Sequence, residues 1–78
     1  MDIFEKVKKI IVDQLGRSPE EIQPNTSFED MAVDSLDVVE LIMAIEEEFD
    51  ISISDEDAAS FTDMAVLVKY IEEATGQQ

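Results

Sequence analysis

A serine stands at the mouth of an unbroken helical run, in Asp34-Ser35-Leu36-Asp37 followed by Val38-Val39-Glu40-Leu41-Ile42-Met43-Ala44-Ile45-Glu46-Glu47-Glu48-Phe49. Asp34 is suited to cap that helix, because a short carboxylate accepts hydrogen bonds from the N–H groups that a first turn leaves without partners. Asp37 then sits in the first turn, where negative charge complements the macrodipole. With Asp34 capping, Ser35 takes the first helical position and its hydroxyl has no backbone duty. A free primary alcohol at a helix N-terminus is a natural place to hold a phosphate or phosphodiester. Other chemistries lack their residues. The chain has no His and no Cys, which excludes a Ser-His-Asp triad, a thiolate nucleophile and a zinc site. Asp55 and Asp57 have the spacing that opens an EF-hand. That register, however, puts Ser60 where the sharp turn needs Gly and Val66 where the bidentate Glu belongs. Carboxylates paired as acid and base would need an enclosed pocket, for which 78 residues leave little room beside a core. No autonomous catalysis is expected.

The elements that must position Ser35 follow from periodicity. Ile3, Phe4, Val7, Ile10, Ile11 and Leu15 form one apolar stripe at helical spacing, which predicts a first helix from Ile3 to Leu15, stopped by Gly16. Its lysines read as a solvated face. Residues 16–33 form a long connection that must be locally ordered to suit a compact domain. Ser18-Pro19-Glu20-Glu21 is a helix-start signature with a capping box and predicts one short turn. Ser27-Phe28-Glu29-Asp30 predicts a second, and Ile22, Phe28 and Met31 are the expected anchors to the core. The second helix runs from Ser35 to Phe49. Beyond it, Ile51-Ser52-Ile53 reads as loop with both isoleucines inward. Ser54-Asp55-Glu56-Asp57 starts a short third helix through Ser60. Thr62 is expected to cap a fourth helix, from Asp63 to Thr75, whose buried stripe is Met64, Leu67, Val68, Ile71 and Ala74. Tyr70 flanks that stripe as a core-edge aromatic. The fold class is all-α: a small four-helix bundle with a short third helix and a long loop between the first two.

Charge narrows the partners. Five Lys and Arg stand against twenty Asp and Glu, a formal net charge of -15, and no base lies between Ser18 and Val68. Nucleic acid is excluded for want of a basic surface, and anionic membranes are disfavoured for the same reason. Partners are expected to present Arg and Lys, with long-range attraction raising the encounter rate. Stepping about 100° per residue along the second helix, Val38, Leu41, Ile42, Ile45 and Phe49 fall on the core side. Leu36 and Met43 fall together away from it, beside Glu40 and Glu47 and near Asp37. An apolar centre with a carboxylate rim, next to Ser35, reads as a docking surface. The start of the chain has no signal-peptide pattern and no apolar run reaches a membrane span, so the cytoplasm is the expected location.

Asp34-Ser35-Leu36, Glu40-Leu41, Glu46-Glu47-Glu48-Phe49-Asp50-Ile51 and Asp55-Glu56-Asp57-Ala58 together resemble an acyl carrier protein of the discrete, type II kind. The resemblance extends from the first helix to Tyr70-Ile71. It implies a single acyl-carrier domain over residues 1–78. It also implies 4′-phosphopantetheine, drawn from coenzyme A, on Ser35, with Asp34 orienting the helix start. The thiol of that arm would carry acyl intermediates as thioesters for fatty-acid or polyketide synthesis, and the chain would be a monomer and no enzyme. Implied partners are a magnesium-dependent phosphopantetheinyl transferase, then ketosynthase, acyltransferase and related enzymes with basic patches. These would dock on Leu36, Asp37, Glu40, Met43 and Glu47. The family's apolar cleft for the acyl chain falls by position on Ile45, Ile53, Ala58, Phe61 and Leu67. Bulky Phe61 and Leu67 suggest a shallow one.

The sequence departs from the family pattern at Ala32-Val33, where Gly-Ala is common, and at Ser54, where Pro is common. Without that Gly, the approach to Ser35 is expected to need no positive φ or to take a slightly different path. Two competing classes stay open. One is an acidic helical adaptor that binds a basic partner without a prosthetic group. The other is a weak divalent-cation binder using Asp34, Asp37, Glu47 and Asp55.

Overall fold

The computed structural model describes residues 2–76; Met1, Gln77 and Gln78 of the expected 1–78 domain lie outside the described residues. Among the described residues four helices follow one another: α1 (Ile3–Leu15), α2 (Ser35–Phe49), α3 (Asp55–Ala59) and α4 (Met64–Thr75), with a 3-10 turn at Pro19–Glu21 in the long connection. The all-α bundle read from periodicity is the fold observed. Helix starts are closed by side chains placed for the purpose. Asp2 Oδ1 accepts from the Glu5 N–H at 2.8 Å, and Ser54 Oγ accepts from the Asp57 N–H at 3.1 Å. Gly16 ends α1 in the left-handed region, at φ 66°, and donates its N–H to the Val12 carbonyl.

α1 packs against both α2 and α4. Ile3, Val7 and Ile11 from α1 meet Leu41 and Ile45 from α2 and Met64, Leu67 and Ile71 from α4, and all are buried. The long connection is tied to this core by Ile22 and Met31, both buried, while Phe28 packs at its edge. Of the capping box at Ser18, the return limb forms, with the Ser18 N–H donating to Glu21 Oε2 at 2.9 Å. The second expected turn is a run of hydrogen-bonded turns over residues 28–32, with the Met31 N–H reaching the Ser27 carbonyl at 3.3 Å. Arg17 adds its guanidinium, which donates to the Met31 carbonyl and pairs with Glu21 at 3.7 Å.

Two details of α4 differ from the sequence reading. Its cap is Asp63, whose Oδ1 accepts from the Val66 N–H at 2.9 Å, so the helix begins at Met64. Thr62 is otherwise engaged: its carbonyl accepts from the Phe28 N–H at 3.1 Å, and the Met64 N–H donates to the Thr26 carbonyl at 2.9 Å. These bonds make an isolated antiparallel bridge between Ser27 and Asp63, which clips the long connection to the start of α4. Ala74, expected in the buried stripe, is exposed because it lies past the last buried residue of the helix, Ile71.

Tyr70 is more than an edge residue. Its hydroxyl donates to Asp57 Oδ2 at 2.9 Å and its ring meets Phe61 edge-on, with centroids 5.1 Å apart. The hydrogen bond to Asp57, then desolvation, then the charges of Asp57 and Glu46 raise the phenol above its ordinary value. A raised folded-state pKa means that the bond's contribution is complete below about pH 10 and is lost as pH climbs through the raised value. Tyr70→Phe should therefore cost roughly 0.5–1 kcal/mol at neutral pH, and the deficit should vanish in strongly alkaline urea melts.

Candidate functional site

α2 starts as its sequence requires. Asp34 Oδ1 accepts from the Asp37 N–H at 2.9 Å, and the Asp34 N–H points back at Asp37 Oδ2 at 3.5 Å. This reciprocal box uses both carboxylates and leaves Ser35 at the first helical position, exposed. Among the described residues none forms a hydrogen bond with its hydroxyl. The N–H groups of Ser35 and Leu36 fall in the first turn, where no intrahelical acceptor exists, so the alcohol stands among backbone donors.

Behind this helix start lies an apolar cavity of about 210 Å³. The connection contributes Phe28 and Val33 to it, and α2 contributes Val38, Leu41 and Ile42. Its remaining wall is Ala58 and Ala59 of α3, with Phe61 and Leu67. Val33 and Val38 bracket Ser35 in the chain, and Val38 lies one turn along the same side of the helix. Of the five positions expected at a cleft, Ala58, Phe61 and Leu67 do line this cavity. Ile45 and Ile53 do not. Ile45 lies one turn too deep, fully buried with α1 and α4, and Ile53 is folded into the core. The Ile53 N–H is held by Glu46 Oε2 at 2.8 Å, which draws the loop after α2 back against the helix. The space exceeds the ~150 Å³ at which an apolar protein cavity takes up benzene.

On the outer side of α2, Leu36 and Met43 are 65% and 59% exposed, and between them stands Val39 at 54%. Glu40 and Glu47 are exposed beside them, and Asp37 is half-buried in its capping box. Val39 is not among the residues that the sequence reading puts on this face. A signal for it exists, since it lies three residues after Leu36 and four before Met43, on one helical row. The expected apolar centre is therefore three residues long.

Among the described residues, no three carboxylates gather to hold a metal ion. Asp34 and Asp37 are turned toward one another's backbone, apart from the cation site conceived with Glu47 and Asp55. Crowded charge still opposes folding at a net -15. Millimolar magnesium or calcium should raise the melting temperature by a few degrees, and moderate sodium chloride should do so less efficiently. A melt that ignores all three salts would contradict this. Finally, a family model described as a phosphopantetheine attachment site matches residues 5–71, nearly the whole described chain.

Proposed function

The chain belongs to the phosphopantetheine attachment site family, as a carrier domain of the acyl carrier protein type, and from that premise we propose that Ser35 is its attachment residue and acyl thioesters its cargo. Family members bear a covalently attached 4′-phosphopantetheine. When attached, that arm supplies the thiol that this sequence lacks. The observation that carries the assignment is the exposed Ser35 hydroxyl, uncommitted to any described partner.

The residues around it fit such a group. Asp34 and Asp37 close the helix start between them, so neither needs the serine and both hold its backbone in place. The orphan N–H groups of the first turn are the donors that a phosphodiester on Ser35 could use. Among the described residues the neighbouring carboxylates of Asp34 and Asp37 accept from backbone N–H groups and neither accepts from the Ser35 hydroxyl, so its proton is left for the modifying enzyme to remove. Val33 and Val38 lead from the serine toward the apolar cavity, which offers shelter to an aliphatic chain. Leu36, Val39 and Met43, rimmed by Glu40 and Glu47, form the face on which basic enzymes of fatty-acid or polyketide synthesis would dock. Such docking is weak and screened by salt, as release after each step requires.

Intact-mass measurement after incubation with a phosphopantetheinyl transferase, coenzyme A and magnesium tests this reading. One adduct is expected on the wild-type chain and none on Ser35→Ala. Failure of the wild type to gain mass would leave the acidic adaptor as the better account. Gain by Ser35→Ala would move the attachment elsewhere.

A further inference from the structure

The cavity has one wall that is weakly built. α3 spans five residues and buries none of its own, yet it supplies Ala58 and Ala59 to the lining, and Phe61, just past its cap Ser60, adds to it. α1 packs on α2 and on α4 and fixes both. α3 has its own local bonds, the packing of Ala58 and Phe61 at the edge of the core, and Tyr70 to hold it. The Tyr70–Asp57 bond is the only hydrogen bond joining two side chains among the described residues. Asp57 sits in the middle of α3, and Phe61, against which the Tyr70 ring packs at an interplanar angle of 64°, sits just past its end. One residue of the well-anchored α4 thus grips the thin wall at both places.

We propose that Tyr70 is a positioning residue which, through Asp57 and Phe61, holds α3 closed over the apolar cavity and so sets how readily that cavity admits and releases a chain. This rests on the cavity being the cargo's shelter, as read above. The grip has two separable parts: the ring contact persists when the hydroxyl is removed, and the hydroxyl bond is half-exposed and easily exchanged for water. An incoming chain therefore lifts the wall by exchanging one modest hydrogen bond for water and shifting the Phe61–Tyr70 ring contact, without disturbing the α1 core.

Amide hydrogen exchange on the chain before any modification reads the grip without reference to cargo. In Tyr70→Phe, exchange at Ala58, Ser60 and Phe61, whose N–H groups close the α3 turns, should quicken about 3–10-fold, the factor one hydrogen bond supports. Core amides of α1, which open only with the whole domain, should quicken about two- to fivefold, in step with the loss of stability that urea melts read for this variant. Asp57→Asn, which keeps an acceptor oxygen for the phenol, should fall between the wild type and Tyr70→Phe. Exchange in wild-type α3 as slow as in the α1 core, which would mean that the wall opens only with the whole domain, or no quickening in α3 of Tyr70→Phe, would overturn the proposal. A second arm uses chain whose Ser35-linked phosphopantetheine thiol carries an octanoyl thioester and follows its cleavage by hydroxylamine, which should be faster in Tyr70→Phe by a similar factor. Unchanged cleavage alongside quickened α3 exchange would also overturn it. If the wild type cannot be loaded at all, the carrier assignment falls instead, and exchange alone decides the grip.

Discussion

Replacing Glu40 and Glu47 together by lysine is expected to slow loading by a phosphopantetheinyl transferase about ten- to a hundredfold at low ionic strength, within the range over which long-range attraction alters association rates. Both side chains are exposed beside Leu36, Val39 and Met43, so the change alters the potential a basic partner meets before contact. The fold should tolerate it. A lysine at the first position would lie one turn from Asp37. At the second it would sit near the C-terminus of α2, where positive charge suits the macrodipole. The melting temperature should hold or rise. The loss should shrink as salt is added, since the Debye length falls to about 8 Å near physiological ionic strength. Loading that is equally fast in the doubly reversed chain, with its helices intact, would show that partners do not approach along this face.

That face is nearly legible from the residues, because a helix turns one-dimensional spacing into a surface by a fixed rule. Capping chemistry, equally local, yields the end of α1 at Gly16, the start of α2 after Asp34, and the turn at Pro19. Such local signals are weaker wherever depth or distant partners decide. Ile45 shares an angular position with the residues that line the cavity, and projection cannot tell that it lies a turn deeper. Val33 and Phe28 reach the cavity because the long connection is pinned to α4 by the Ser27–Asp63 bridge, a contact between residues far apart in sequence. The choice of Asp63 over Thr62 as the cap of α4 has the same origin, since both are competent caps and only the bridge decides between them. Tyr70 gives no sequence signal for its bond to Asp57, thirteen residues away on a separate helix.

The backbone at Ala32 carries the second large effect, and there the structure reverses the sequence expectation. The missing glycine implies either that no positive φ is needed before Ser35 or that the path there differs slightly, and it is the first of these that the structure overturns. Ala32 nevertheless has φ 54°, in the left-handed region. That conformation costs an L-residue with a Cβ roughly 1–2 kcal/mol. Glycine adopts it without that strain but loses about 0.4–1 kcal/mol through the greater freedom of its unfolded chain. Ala32→Gly should therefore stabilise the domain by about 0.5–1 kcal/mol, which in a domain of this size corresponds to a rise of roughly 2–8 °C in melting temperature. Ala32 is exposed, so no packing is forfeited, and its N–H bond to the Glu29 carbonyl, at 3.0 Å, survives the change. Ala32→Val should move the other way, because a branched Cβ fits the left-handed region worse still. The turn matters beyond stability, because it aims Val33 at the cavity and delivers Asp34 to its capping position one residue before the serine. Thermal melts of the wild type and the two variants in one buffer decide the point. Equal stability of the wild type and Ala32→Gly would mean that the approach to Ser35 relaxes out of the left-handed turn in solution.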